Sequence, residues 1–389
     1  MSDSIVIAAA RRTAIGAFQG QFAPVPSTGL GAAAIRAAVA DSGIPPEQVS
    51  EVLMGCVLPA GLGQAPARQA SLGAGLPLST GCTTLNKVCG SGMKTMMLGH
   101  DALMAGSAEI VVAGGMESMT NAPYLVKRNL RMGPETLTDH MFFDGLQNPY
   151  DGQMMGQFAE QCARRYGFTR EQQDEFSKAS VERANRALAE GLFSAEITPV
   201  SVKTRKGEAE MTADEEPGRV NVDKIPELRP AFAKDGTITA ATSSKISDGA
   251  AAAVLMRESS ATGHGVQPLA RIVGHATHSQ EPEWFTTAPV GAMRAVLDRA
   301  GWSAADVDLW EINEAFATVT MAAMVDLELP HDRVNIHGGA CALGHPIGCS
   351  GARIVVTLLH ALRRTGGRRG VASLCIGGGE ATALAIELI

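Results

Sequence analysis

Asn86-Lys87-Val88-Cys89-Gly90-Ser91-Gly92-Met93 is the stretch on which the reading of this chain turns. Residues 83–88 read as a strand and residues 93–105 as a helix that stops at Gly106, so Cys89 falls where a strand turns sharply into a helix N-terminus. The first N–H groups of a helix lack intrahelical partners and its dipole favours an anion, so a thiolate is stabilised there. Gly90 and Gly92 let an acyl group approach the backbone closely. A small buried cysteine beside a tight turn would read the same way. The surrounding chain separates the two.

Upstream, residues 5–10 form a β-branched run, residues 30–42 an Ala-rich helix ended by Gly43, residues 49–57 a strand and residues 67–72 a helix. Downstream, residues 110–113 form a strand ending in Gly114-Gly115-Met116. Strands alternating with helices predict an α/β fold with a largely parallel sheet covered by helices. The second half repeats this grammar. Residues 291–300 with Gly301 echo residues 33–42 with Gly43; Gly348-Cys349-Ser350-Gly351 opens a helix as Cys89-Gly90-Ser91-Gly92 does; residues 372–376 with Gly377-Gly378-Gly379 echo residues 111–115. Correspondences in one order imply a duplicated α/β domain. Its halves are residues 1–118, completed by a returning strand in 247–265, and residues 266–389. Residues 119–246 form an insertion carrying charge runs at 203–206 and 214–216 and a helix over 170–190. It reads as a binding lid or as a solvated decoration over one face.

At 389 residues, the chain is long enough for two or three domains. A net charge of −7 argues against nucleic acid as the main partner. Seven cysteines read as reduced thiols. None of their spacings gives a CxxC pair or a Cys/His zinc pattern, so no metal site is expected. No signal-peptide pattern and no apolar run of membrane-spanning length is seen, which makes the cytoplasm the expected compartment and a membrane partner unexpected.

Three further stretches gather chemistry. Glu311-Ile312-Asn313-Glu314-Ala315-Phe316-Ala317 follows a strand with a polar pair, where Asn313 is either a helix N-cap or a site residue. His345 stands on a Gly/Pro-rich loop, residues 337–348, that can hold an imidazole within reach of a nucleophile. Cys375 ends a strand before Gly377-Gly378-Gly379 and is either structural or a second reactive thiol. If the halves pack about a pseudo-twofold, their strand ends converge on one cleft. Two thiols, an imidazole, an amide and glycine N–H donors suit acyl transfer through a thioester.

In element order and in these motifs the chain resembles the thiolase family over its whole length. Asn86 to Gly92 resembles the nucleophile motif, residues 112–119 the first-half glycine turn, and Asn313 to Ala317, Gly338 to Gly348 and Cys375 to Gly379 the remaining motifs. The resemblance implies duplicated thiolase-type domains with mixed sheets, and a reversible Claisen condensation on coenzyme A thioesters. It implies that Cys89 carries the acyl group, His345 accepts its proton, and Cys375 moves a proton at the α-carbon. Asn313 would hold a water at the enolate oxygen, and the N–H groups of Cys89 and Gly377 would form an oxyanion hole. The insertion would bind coenzyme A, with Met155, Phe232, Phe285 and Phe316 at the acyl end, Ser244 near the pantetheine and Arg219 near the adenine. Acyl-CoA and free coenzyme A are then substrates, and no cofactor is expected. A homo-oligomer, dimer or tetramer, is implied, with Lys127, Arg128 and Arg131 falling where relatives carry a tetramerisation loop. Met154 and His337 stand where many relatives have His and Asn, and Trp284-Phe285 is bulky for a small acyl pocket. The Cys-Gly-Ser-Gly form resembles the acetoacetyl-CoA branch. The alternatives are a degradative 3-ketoacyl-CoA thiolase of broader chain length and a non-catalytic acyl-CoA or lipid-binding relative.

Overall fold

The computed structural model describes residues 3–128, 131–205 and 207–389. Lys206, at the end of one charge run, lies outside them. In chain order the first half supplies β1 (Ile5–Thr13), α1 (Ser27–Ser42), β2 (Glu51–Gly55), α2 (Pro66–Gly73), β3 (Gly81–Leu85), α3 (Ser91–Ala105) and β4 (Ile110–Ser118). The insertion contributes α4 (Met155–Tyr166) and α5 (Arg170–Ala189), and β5 (Ser247–Arg257) follows it. The second half supplies β6 (Ala270–Ser279), α6 (Ala288–Ala300), β7 (Leu309–Ile312), α7 (Ala317–Asp326), α8 (Ile347–Thr365), β8 (Arg369–Ile376) and β9 (Glu380–Leu388).

These strands follow one path, β7-β8-β9-β6-β1-β5-β4-β2-β3. Read outward from its middle, β1-β5-β4-β2 and β6-β9-β8-β7 are the same order, which is the duplication made visible. The halves join where β1 and β6 pair antiparallel, Val6 opposite Arg271 and Ile7 opposite Ala270. The sheet is mixed rather than largely parallel: β2–β3, β2–β4 and β7–β8 are parallel, and the other pairs on the path are antiparallel. Strand–helix alternation predicts parallel neighbours only where a helix crosses over. β8 and β9 are instead joined by three glycines, and β5 returns after a long excursion.

Strand composition follows from burial on both faces. On β5, Ala250, Ala252, Val254 and Met256 join α1 in one core, while Ala251, Ala253 and Leu255 join α3 and α8 in another. Period-two alternation between two apolar environments demands an unbroken apolar run. A third core packs α6 on Ala381, Ala383 and Ala385 of β9. Every residue of α8 from Ile347 to Leu362 is buried, so α3 and α8 form a central layer between the two halves of the sheet.

Glycines set the approach of those central helices. A Cβ on Gly92 would lie 2.8 Å from the Ala352 nitrogen, and one on Gly351 would lie 2.5 Å from the Met93 nitrogen. The two glycines are counterparts in the repeat, so each helix removes a side chain where the other passes. The Gly114-Gly115 pair is not a turn, as its sequence suggests, but lies inside fully buried β4. A Cβ there would fall 2.0 Å from the Ala251 oxygen or the Gly348 oxygen, so these glycines serve close packing.

The insertion is fastened by charge rather than laid loosely over a face. Asp214, read from sequence as part of a surface charge run, is buried and accepts two bonds from the buried Arg12 guanidinium at 2.7 and 2.9 Å. Glu196 takes the Nε of Arg12 at 2.6 Å. Tyr124–Leu125 pairs with Thr138–Asp139 in a short arm, on which Lys127, Arg128 and Arg131 are exposed.

Candidate active site

Side-chain hydrogen bonds shape the turn that carries Cys89. β3 ends at Leu85, earlier than the sequence suggests, because Asn86 Oδ1 accepts from the Val88 N–H at 2.8 Å and folds the chain back. Ser91 Oγ accepts from the Lys87 N–H at 2.8 Å and donates to the Val88 carbonyl at 2.7 Å. Val88 is held at φ 46°, a left-handed conformation costly for a β-branched residue. Cys89 then sits one residue before Gly90, the N-cap of α3.

Contacts between the halves bring this turn to the β8–β9 turn. Gly90 packs where a Cβ would lie 2.3 Å from Ile376 Cδ1, the residue next to Cys375. Lys87 Nζ meets Glu380 Oε2 at 2.6 Å. The backbone N–H groups of Gly377 and of Cys89 itself lie near enough to the Cys89 sulfur to favour its thiolate. Gly378 and Gly379 take φ of 94° and 87°, which the tight turn requires and other residues rarely adopt.

Burial dominates the thiols. Cys89 is partly exposed as a residue, but its sulfur is enclosed, and burial pushes its pKa up to about 11 against the pull of the two N–H groups, with a smaller push from Glu117. Sequence reasoning predicted a lowered value from the helix N-terminus and His345. Desolvation overrides that here. Cys375 is raised well above the ordinary thiol value, first by burial and then by the Cys89 charge. The two thiols are near enough to repel as anions.

His345 is 5% exposed and its pKa falls to about 3 through burial and then the nearby Arg353 charge, so it is a neutral imidazole. Its Nδ1 lies 2.6 Å from Ser350 Oγ, which also donates to the Pro346 carbonyl at 3.0 Å. With the hydroxyl proton on Pro346, Ser350 accepts from Nδ1–H and leaves Nε2 as the bare acceptor. That Nε2 is buried without a partner among the described residues. Asn313 is fully buried, its Nδ2 is 3.5 Å from His345 Nδ1, and its Oδ1 is unpartnered. It is not a helix cap: the N-cap of α7 is Phe316, without a side-chain capping bond.

Two cavities meet at Met155. One, of about 620 Å³, runs past Val88, Gly377, Gly378, Phe143 and Tyr150. The other, of about 220 Å³, is lined by Ser244, Phe232, Phe316, Ile347 and His345. Cys375 lies in an apolar cluster with Phe158, Phe285, Phe316 and Val319. Phe285 is 2% exposed and lines neither cavity; it stands behind Phe316, ring centroids 6.4 Å apart. Trp284 stands at the kink of the short helical segment Pro282–Thr287, with the Arg165 guanidinium 4.5 Å over its ring. Arg219 lines neither cavity and is half-exposed, pairing with Glu215 at 3.4 Å. Met154 lines the smaller cavity, whereas His337 is buried away from it beside Phe193.

Several residues of the site were quoted in motifs without a role. Glu117 accepts from the N–H groups of Val57, Leu58 and Gly348 at 3.0, 3.2 and 2.9 Å, tying the first half to the start of α8, and burial raises it to about 7. Glu314 accepts from Ser180 Oγ, Asn335 Nδ2 and the Cys341 N–H, which fixes the loop leading to His345. Ser350 orients His345. The signal available in sequence was a polar residue inside an otherwise apolar, glycine-rich run.

Residues 5–259 match the family profile described as thiolase, N-terminal domain, and residues 266–388 the one described as thiolase, C-terminal domain. The chain belongs to the thiolase family. This thiolase is 49% identical to an acetyl-CoA acetyltransferase of Chromobacterium violaceum, covering 98% of this chain and 99% of that one. It is 48% identical to a mitochondrial acetyl-CoA acetyltransferase of Mus musculus, over 99% and 91% of the two chains. Among solved structures, a thiolase of Ascaris suum in complex with coenzyme A superposes with TM-score 0.95 at 42% identity, covering 99% and 100% of the chains. An acetyl-CoA acetyltransferase of Bacillus anthracis gives 0.96 at 39% identity, covering 100% and 99%. Among the described residues no helix is long and apolar enough to cross a membrane.

Proposed function

We propose that this thiolase joins two acetyl-CoA into acetoacetyl-CoA and free coenzyme A, and runs the reverse thiolysis, through an acyl-Cys89 intermediate. The observation that carries the reading is the convergence of one thiol from each half, with two N–H donors near Cys89 and an unpartnered His345 Nε2 in the adjoining cavity. His345 Nε2 takes the Cys89 proton as sulfur attacks the thioester carbonyl. The N–H groups of Cys89 and Gly377 hold the tetrahedral oxyanion, and coenzyme A leaves with the proton from His345. In the condensation half, the Cys375 thiolate removes an α-proton from the second acetyl-CoA. The enolate oxygen accepts from a water held on Asn313 Oδ1. The carbanion attacks acyl-Cys89, and the departing Cys89 sulfur takes the proton back from Cys375.

The two thiols share one proton through this cycle. Burial chiefly keeps Cys375 protonated; acylation of Cys89 takes away the smaller influence, a competing anion beside it, and so eases its ionisation when a base is needed. The cavities meeting at Met155 suit a pantetheine arm and a short acyl group, with Ser244 on the wall of the smaller one. The reading needs coenzyme A thioesters as substrates and no further cofactor. A homo-oligomer in the cytoplasm, a dimer or a tetramer, accompanies it, with the exposed Lys127, Arg128 and Arg131 as the tetramer contact.

Brief exposure to acetyl-CoA followed by peptide mass spectrometry tests the nucleophile. The acetyl group is expected on Cys89. A label on Cys375, or on none of the seven cysteines, would overturn the assignment.

A further inference from the structure

Away from the acyl site, α3 and β6 bring His100, Asp101 and His275 to one point. His275 Nε2 lies 2.9 Å from Asp101 Oδ1 and 3.3 Å from His100 Nδ1, and His100 Nδ1 lies 3.2 Å from Asp101 Oδ1. The imidazole planes cross at 84°, so the rings meet edge to face rather than stacking. Three donors in a triangle of this size form one face of a tetrahedron. Metal–ligand bonds of about 2.0–2.1 Å require edges of roughly 3.3 Å. Among the described residues, these three are the one group of histidine, cysteine and carboxylate side chains with ligand atoms this close together.

We propose that His100, Asp101 and His275 form a binding site for a divalent late first-row cation of the Zn²⁺ class. Two imidazole nitrogens and one carboxylate oxygen are borderline donors that favour Zn²⁺ or Co²⁺ over Mg²⁺ and Ca²⁺. The histidine side chains are mostly buried, at 19% and 13% exposure, whereas Asp101 is 54% exposed. The fourth position therefore opens to water. Among the described residues His275 Nδ1 has no partner, and Lys94 lies nearby, so the site lacks the supporting hydrogen bond that strengthens resident metal centres. Binding is accordingly moderate and reversible. Its consequence is mechanical: α3, which begins beside Cys89, becomes cross-linked to β6 of the other half.

The test is a titration of the full chain with Co²⁺, then Zn²⁺, after alkylation of accessible thiols with iodoacetamide, because thiolates bind both ions. Wild type is expected to take up one equivalent of Co²⁺ with visible d–d absorption and no sulfur-to-cobalt charge transfer, and to release it to Zn²⁺. Zn²⁺ should also raise Tm, by about 2 °C at tenfold excess over Kd. His275→Ala and Asp101→Asn should each weaken binding by at least about tenfold and lose the Tm shift, while acetoacetyl-CoA thiolysis before alkylation shows that each variant is folded. Should His275→Ala fail to fold, Asp101→Asn carries the comparison, since that side chain is half-exposed. No Co²⁺ uptake by wild type, or equal uptake by the variants, would overturn the site.

Discussion

Cys89 is a nucleophile that its surroundings leave protonated. Burial lifts it to about 11, and the two N–H groups recover only part of that. A thiol with a raised pKa gains thiolate at higher pH than a free one, so alkylation of Cys89 by iodoacetamide should still accelerate between about pH 8 and pH 10. A rate already flat below about pH 8 would mean that His345 or the helix end outweighs desolvation after all. Cys89, His345, Cys375 and Asn313 were singled out in sequence because each stands in a short polar or glycine-rich motif. It did not make their protonation legible, since that depends on what the other half packs over them. The same holds for substrate size. Phe285 was read as a pocket wall and proves to stand one layer back, with Phe316 and Met155 at the surface of the smaller cavity. Extra methylenes forced against that aromatic cluster cost about 1–3 kcal/mol, or roughly 5- to 150-fold in rate. Acetoacetyl-CoA should therefore exceed 3-ketohexanoyl-CoA in kcat/KM by such a factor. Equal values for four- and ten-carbon substrates would move the protein to the broad-range degradative branch.

At the scale of elements, the crossing of α3 and α8 fixes the geometry between Cys89 and His345, because each helix begins beside one of them. Gly351→Ala would put a methyl 2.5 Å from the Met93 nitrogen. Since that neighbour is backbone, the helices must separate, at a cost of about 1–3 kcal/mol. Urea unfolding should show the loss in midpoint, with condensation activity reduced beside it; an unchanged midpoint would mean that the helices cross more loosely than described. Glycine repeats in the sequence pointed to this symmetry but not to its use. Gly114-Gly115 reads as a turn because glycine pairs usually are one. In β4 the same pair is extended, and only a neighbouring strand and the start of α8 explain it.

In the proposed mechanism the chemistry is divided between the halves: the first contributes Cys89, the second His345, Asn313 and Cys375. Internal repetition pointed to a duplicated domain in sequence, and the strand order came only with the structure. What stayed hidden joins distant segments: the mixed pairing of the sheet, the buried Arg12–Asp214 tie to the insertion and the cluster at His100, Asp101 and His275. Each of these depends on at least one partner far away in the chain, so no local pattern marks it. The division also predicts that the two thiols can be separated by function. In Cys375→Ser, Cys89, His345 and the N–H groups of Cys89 and Gly377 are all retained, but the acid/base at the α-carbon is gone. Acetylation of Cys89 by acetyl-CoA, followed by mass spectrometry, should proceed in this variant while acetoacetyl-CoA formation falls by several orders of magnitude. Condensation at the wild-type rate in Cys375→Ser, or loss of Cys89 acetylation together with it, would contradict the account.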